Sequence, residues 1–264
     1  MDYLFIANEA EKVVRNTAAW IKKERLSWEI KHVMSKADSS LVTSIDLGSE
    51  ERLVNGFKKI LPNSHFLAEE NFNQHEPNEI LWIIDPIDGT TNLVHGLPMY
   101  CISVALQINA KTVLGIIYEL NSDECYIAHE GMPGATMNGK PISVSGAQHL
   151  EDSLLATGFP VVDLSRLDAY IDILKEFMKR THGLRRLGSA AMDLAYVACG
   201  RCDGFYEYGL SPWDVAAGAY LVEKAGGRVN DFKGAHDYLH GREIVASNGL
   251  IQPEFLEVFS KVIN

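Results

Sequence analysis

Asp85 and Asp88, separated only by Pro86 and Ile87, stand where the apolar run Leu81–Ile84 gives out, and Gly89, Thr90, Thr91 and Asn92 follow them directly. Two chemistries suit this spacing. Asp-Gly is ordinary turn chemistry. The same residues also suit a hard-cation site with an anion cradle beside it. Mg²⁺ takes a few carboxylate oxygens, waters and substrate phosphate oxygens. Gly89 lets the backbone come close to a ligand, and consecutive N–H groups there would cradle a phosphate.

Further carboxylates sit at comparable places. Glu69 and Glu70 follow the strand-like "HFLA", and Asp214 lies three residues after Ser211 at the start of "SPWDVAAGAYLVEKAGG". That segment reads as a helix with Ser211 as N-cap and Pro212 first, ended by Gly226 and Gly227. In isolation Asp214 is equally a group favoured by the helix dipole. Carboxylates brought close together repel unless cations lie between them. With a phosphate cradle alongside, the set points to metal-assisted phosphoryl hydrolysis.

The elements that must position these residues are legible in outline. Ile6, Ala10, Val13, Val14, Thr17 and Ile21 recur at helical spacing over 3–24, and a second amphipathic helix spans 44–61 until Pro62 stops it. Strands are predicted at 65–69, 79–85, 100–108, 112–120 and 124–130, as an antiparallel meander, with a tight turn at Asn138–Lys140. Beyond 150 the spacing predicts a strand at 153–159, a helix at 166–180, a short strand in "LRRLG" and a helix at 189–200. Strands in "CDGFYEY" and "EIVAS" and a helix from about Pro253 complete the chain. This is an α+β chain in two halves, 1–147 and 148–264, packed as layers into one catalytic unit.

The 264 residues are 47% hydrophobic and 22% charged, enough for a buried core, and the formal net charge is -11. That balance lacks the electrostatic footprint of a nucleic-acid binder. No basic n-region precedes an apolar run at the N-terminus, and no run is long enough for a membrane span. The four cysteines are too few and too dispersed for a secreted disulfide framework. The expectation is a cytoplasmic protein with a small-molecule partner.

"LAEE" (67–70), "WIIDPIDGTTN" (82–92) and the 211–227 segment resemble the signature segments of the inositol monophosphatase family, and "LVTSID" (41–46) and "LGSAAMDLAYVACGRCDGFYE" (187–207) fit it in order. The resemblance implies an α/β/α/β/α sandwich and two or three Mg²⁺ ions. Its metal ligands are Glu69, Asp85, the Ile87 carbonyl, Asp88 and Asp214, with Asp85 shared between two ions. It assigns water activation to Thr90 and Glu69, with Asp46 hydrogen-bonded to Thr90, and phosphate binding to the N–H groups of Gly89 and Thr90. Substrate contacts would come from Asp88, Gly89, Thr90, Ala190, Glu207 and Asp214. Lys36 matches a basic residue on a loop over the site. The activity implied is hydrolysis of inositol 1-phosphate by direct attack of water, with lithium inhibition and a homodimer. NADP 2′-phosphate, 3′-phosphoadenosine 5′-phosphate, fructose 1,6-bisphosphate and histidinol phosphate are the alternative substrates.

Other signals carry less. Cys199 and Cys202 form a C-x-x-C, but at a helix C-terminus, where the dipole does not lower a thiol pKa. "HDYLH" (236–240) reads as a surface loop, and His95 as a packing or hydrogen-bonding residue. A haloacid-dehalogenase-like phosphatase would space its aspartates two apart, after the first strand of the chain. A binding or regulatory module without catalysis is disfavoured because Asp46, Glu69, Asp85, Asp88, Thr90 and Asp214 are all present.

Overall fold

Along Cys101–Ile108 every side chain but the last is buried, so this strand has a core on both faces. Ile102, Val104 and Leu106 enter one cluster, and Cys101 and Ala105 the other, as the two-residue period of a strand requires. A sheet buried on both faces needs a layer of helices on each side.

The computed structural model describes residues 1–27, 33–35, 41–71, 79–160 and 163–263. The elements begin with α1 (Tyr3–Ser27), β1 (Val33–Ser35), β2 (Leu41–Thr43), α2 (Ser44–Ile60), β3 (His65–Ala68), β4 (Ile80–Asp88) and α3 (Thr90–His95). Next come β5 (Cys101–Ile108), β6 (Lys111–Glu119), β7 (Glu124–His129), β8 (Ala135–Met137), β9 (Lys140–Ile142) and β10 (Leu154–Thr157). Then follow α4 (Leu167–Arg180), β11 (Gly183–Arg185), α5 (Ala190–Ala198), β12 (Gly204–Tyr208), α6 (Pro212–Lys224), β13 (Arg228–Asn230), β14 (Glu243–Ser247) and α7 (Gln252–Ile263).

Strands β3 to β9 form a seven-stranded sheet in chain order, and β11-β10-β12-β14-β13 a five-stranded one. Of the meander expected from 65 to 130, the part from β4 to β7 is present and is continued by β8 and β9. Asn138 and Gly139 both have positive φ in the β8–β9 turn, as a type I′ hairpin requires. β3 departs from the meander by pairing parallel to β4. The second sheet is mixed, with β10 parallel to β11 and β12.

Helices α1 and α2 cover one face of the large sheet, with Phe57 stacked on Trp82 at 4.2 Å between ring centroids. Helices α5 and α6 fill the space between the sheets, and α4 and α7 cover the far side of the small one. The order is therefore α/β/α/β/α. The central layer is apolar all round because it is buried all round, and small residues let it pack closely. A Cβ on Gly218 would meet the Leu194 side chain at 2.5 Å, and one on Gly115 of β6 would lie 2.8 Å from the Ala217 carbonyl of α6. Among the described residues, no helix is long and apolar enough to cross a membrane.

Candidate active site

Residues three apart on a regular strand point to opposite faces. Asp85 and Asp88 nevertheless both face the central helices. The reason is the register with β5: Asp85 lies opposite Ser103 and Asp88 opposite Cys101, so three steps on β4 match two on β5. The extra residue is a β-bulge. Pro86, which has no N–H for the ladder, falls in the irregular step, where proline is tolerated. Ile87 turns the other way, 1% exposed, into the core beneath α1 and α2. The strand expected to end at Asp85 thus runs on to Asp88. Its far end leads through Gly89, at φ +98°, into α3, a helix the sequence reading did not foresee.

Asp214 reaches the same point from the other half. Its Oδ2 accepts the Ser211 N–H at 2.7 Å at the start of α6, so it serves its helix with one oxygen while its carboxyl joins Asp85 and Asp88. One ligand atom from each of the three lies within 4.8 Å of the others. Ser103 Oγ donates to the Trp213 carbonyl at 3.2 Å, tying the start of α6 to the sheet next to the pair.

Asp88 Oδ2 accepts from Ser189 Oγ at 2.7 Å and from the Ala191 N–H at 2.6 Å, both at the N-terminus of α5. Those bonds engage one oxygen of Asp88. Asp85 Oδ1 accepts the Ile87 N–H at 2.9 Å. Burial pushes Asp88 up to about 6, against the pull of the Ser189 and Ala191 bonds. Burial raises Asp85 well above the carboxylate range, and the charges of Glu69, Asp88 and Asp214 raise it further. Asp214 is raised by burial and then by Asp88. Glu69, just after β3, shares a hydrogen bond with Asp85 and lies outside the tight trio. All-oxygen donors whose negative charges oppose one another fit a hard divalent cation such as Mg²⁺.

Thr90 Oγ1 lies 2.7 Å from Asp46 Oδ1 and 3.0 Å from the Ile87 carbonyl, and its single proton serves one of them at a time. Asp46 stands in the first turn of α2, fully buried, and accepts the Thr43 N–H at 2.8 Å in a capping box. Burial raises its pKa while bonds from Thr43 and Thr90 lower it.

Beside the carboxylates lies a cleft of about 150 Å³, walled in part by Ala190, Glu207, Asp193, Arg186 and Phe159. Glu207 comes from β12 and is 9% exposed, and burial pushes it up to about 8. Its carboxyl presses on Gly158, where a Cβ would lie 2.0 Å away.

Several residues here escaped the sequence reading. Glu50, fully buried, accepts the N–H groups of Glu70 at 2.7 Å and Asn71 at 2.8 Å and so holds the chain just after Glu69. Its position four residues after Asp46, on one helix face, was the available signal. Ser189 was legible as an N-cap ahead of an apolar helix. Asn92 Nδ2 donates to the Met99 carbonyl at 2.7 Å and the Leu187 carbonyl at 2.9 Å, binding the segment after Asp88 to the second half. Only the fold reveals Asp193 and Arg186 as cleft residues.

Lys36 lies outside the described residues. His95, expected to pack or hydrogen-bond, is instead exposed at the end of α3, because the chain turns outward at Gly96. The Cys199 and Cys202 thiols are both pushed up by burial, Cys202 to about 12, the reverse of a reactive pair. Among the described residues, Asp85, Asp88 and Asp214 are the one group of three or more His, Cys, Asp or Glu that could hold a metal.

The model of the inositol monophosphatase family matches residues 3–264. The chain belongs to the inositol monophosphatase family. Among the relatives of this family member, the Nus factor SuhB of Pseudomonas aeruginosa is 38% identical over 246 residues, spanning 91% of this chain and 90% of that one. Among solved structures, the extragenic suppressor protein suhB from Bartonella henselae superposes with a TM-score of 0.90 at 35% identity, covering 96% of this chain and 98% of that one. The inositol monophosphatase from Anabaena (Nostoc) sp. PCC 7120 superposes at 0.87 and 35% identity, covering 98% and 96%. The family's layered fold is the one described above.

Proposed function

We propose that this chain is a Mg²⁺-dependent phosphomonoester hydrolase acting on inositol 1-phosphate. The observation that carries the proposal is the convergence of Asp85, Asp88 and Asp214, within 4.8 Å, beside a cleft of about 150 Å³. The cleft is lined by Ala190 and Glu207, the positions to which the sequence resemblance assigns contacts with the leaving group, and this supports inositol as that group. Glu69, Asp85, the Ile87 carbonyl, Asp88 and Asp214 are the proposed ligands of two or three ions. When bound, the cations supply positive charge at the phosphoryl oxygens and make a water more acidic.

The chain's own groups then have separate tasks. Asp46 orients the Thr90 hydroxyl, and Thr90 with Glu69 takes a proton from the attacking water. The water oxygen bonds to phosphorus as the bond to the leaving oxygen breaks, without a phosphoenzyme, and the leaving oxygen takes a proton from a second water and departs as the alcohol. Gly89 and Thr90 N–H groups bind the phosphate, and Ala190 N–H and Glu207 bind the leaving group, with Asp88 and Asp214 lining the same space. Because these groups come from both 1–147 and 148–264, the halves act as one catalytic unit. A homodimer, lithium inhibition and a cytoplasmic location extend the proposal from the sequence resemblance.

Phosphate release from inositol 1-phosphate, fructose 1,6-bisphosphate, 3′-phosphoadenosine 5′-phosphate and NADP, with and without Mg²⁺, tests it. Mg²⁺-dependent release from inositol 1-phosphate is expected. Asp88→Asn should cut that turnover by more than the roughly 10–100-fold typical of residues that only support a ligand. Near-normal turnover of the variant in excess Mg²⁺ would remove Asp88 from the ligand set.

The name Nus factor, borne by relatives at 37–39% identity, supports a second reading in which the fold also serves as a binding component. The net charge of -11 favours a protein over a nucleic acid as its partner there. A chain carrying Asp88→Asn that lacks turnover but still replaces the wild type in cells would carry that reading. Failure to replace it would leave hydrolysis as the function.

A further inference from the structure

Asp193 is the cleft carboxylate to which the proposed mechanism gives no role. It stands one turn into α5, three residues after Ala190, and is 1% exposed. Its Oδ1 has no hydrogen-bond partner. A buried carboxyl oxygen without a partner is costly, roughly 1–3 kcal/mol or more, and such costs are retained where a ligand supplies the missing bond. The residue lines the cleft together with Glu207, Asp88 and Asp214.

The surroundings limit what the missing partner is. Asp193, Glu207, Asp88 and Asp214 are acidic, and Arg186 is the cation among the cleft residues, exposed and lying over the Phe159 ring at 5.9 Å. Burial holds the Asp193 carboxyl well above its ordinary range, with Glu207 and Asp88 adding to the rise. An anionic group deep in the cleft would face these carboxyls, whereas a neutral hydroxyl donates to or accepts from them in either protonation state. Glu207 of β12 lies against Gly158, and Asp193 belongs to α5, so the two carboxyls reach the cleft from separate elements.

We infer that Asp193 is a specificity-determining residue that hydrogen-bonds a second hydroxyl of a neutral polyol leaving group, one that Glu207 does not reach. The inference rests on the phosphatase reading and deepens it. It gives the orphaned oxygen a partner present only when a polyol occupies the cleft. It also makes Asp193 dispensable for a substrate whose leaving group carries no hydroxyl.

The test compares wild type, Asp193→Ala and Asp193→Asn on myo-inositol 1-phosphate and on phenyl phosphate, with thermal unfolding alongside. Asp193→Ala should lose roughly 3–10-fold in kcat/KM on the inositol ester, the range for one hydrogen bond to an uncharged carboxyl. It should stay within about twofold of wild type on phenyl phosphate, with Tm unchanged or raised because an unsatisfied buried oxygen is gone. Asp193→Asn keeps an accepting oxygen and should recover most of the loss. Equal losses on both substrates with a lowered Tm would make Asp193 a structural residue and overturn the inference, and so would no change on either. If the wild type hydrolyses neither ester, the phosphatase reading is what has failed. Calorimetric binding of myo-inositol then decides: weaker binding by Asp193→Ala than by wild type supports the inference, and equal or absent binding overturns it.

Discussion

At the scale of single residues, the carboxylates of the site do double duty. Asp46 and Asp214 each receive a backbone N–H at the start of a helix, and each also turns a carboxyl toward the cluster or toward Thr90. A sequence reading that sets cap against ligand therefore poses a false choice, since a carboxylate has two oxygens. Glu207 yields a prediction with a definite sign. Its carboxyl is pushed from an ordinary 4.5 to about 8 in the folded chain. A group raised on folding contributes stability that is fully present below its unfolded pKa and is lost as pH rises through the folded one. Without divalent cations, the chain should become less stable between about pH 5 and 8, and Glu207→Gln should flatten that decline. Melting curves across this range give the answer, and an unchanged slope in the variant would mean that Glu207 does not titrate there.

Between elements, the bulge in β4 and the close seating of α6 decide the geometry. The bulge turns Asp85 and Asp88 to one face, and α6 brings Asp214 down onto them through contacts with no room for side chains. Gly115 shows how tight the fit is, because its missing Cβ would sit 2.8 Å from the Ala217 carbonyl. Gly115→Ala must move α6 away from the sheet. Overpacking of this kind costs about 1–3 kcal/mol, so the urea midpoint should fall at constant slope and turnover should fall with it as Asp214 retreats. Full stability and full turnover in this variant would show that α6 shifts without cost. The bulge itself was half legible: Pro86 within a strand signals an edge or a bulge, but which way it aims the aspartates depends on the register with β5.

Across the whole molecule, the site is a seam. Asp85 and Asp88 belong to the large sheet, Asp214 and Ala190 to the central helices, and Glu207 to the small sheet. Cations bound at such a seam couple to global stability, because only the folded chain assembles their ligands. Mg²⁺ at about 100 times its dissociation constant should stabilise the protein by about 2.7 kcal/mol, seen as a rise in Tm that EDTA reverses. Asp88→Asn should show a much smaller rise. An equal rise in both proteins would place the cations elsewhere.

The sequence by itself determined the kinds of residue available, most of the helices and strands that carry them, and the family, since these depend on local periodicity and on short motifs such as "DPIDGTTN". Glu69, Asp85, Asp88, Thr90, Asp214 and Glu207 were all legible as candidates at that level. What only the tertiary structure decided was convergence: the face to which the bulge turns Asp85, the clamp of Glu50 behind Glu69, the grip of Ser189 on Asp88, and the unpartnered oxygen of Asp193 in the cleft wall. Each depends on register and layer packing between segments far apart in the chain. Local propensity sets which elements form, but contacts between those elements set where their side chains meet.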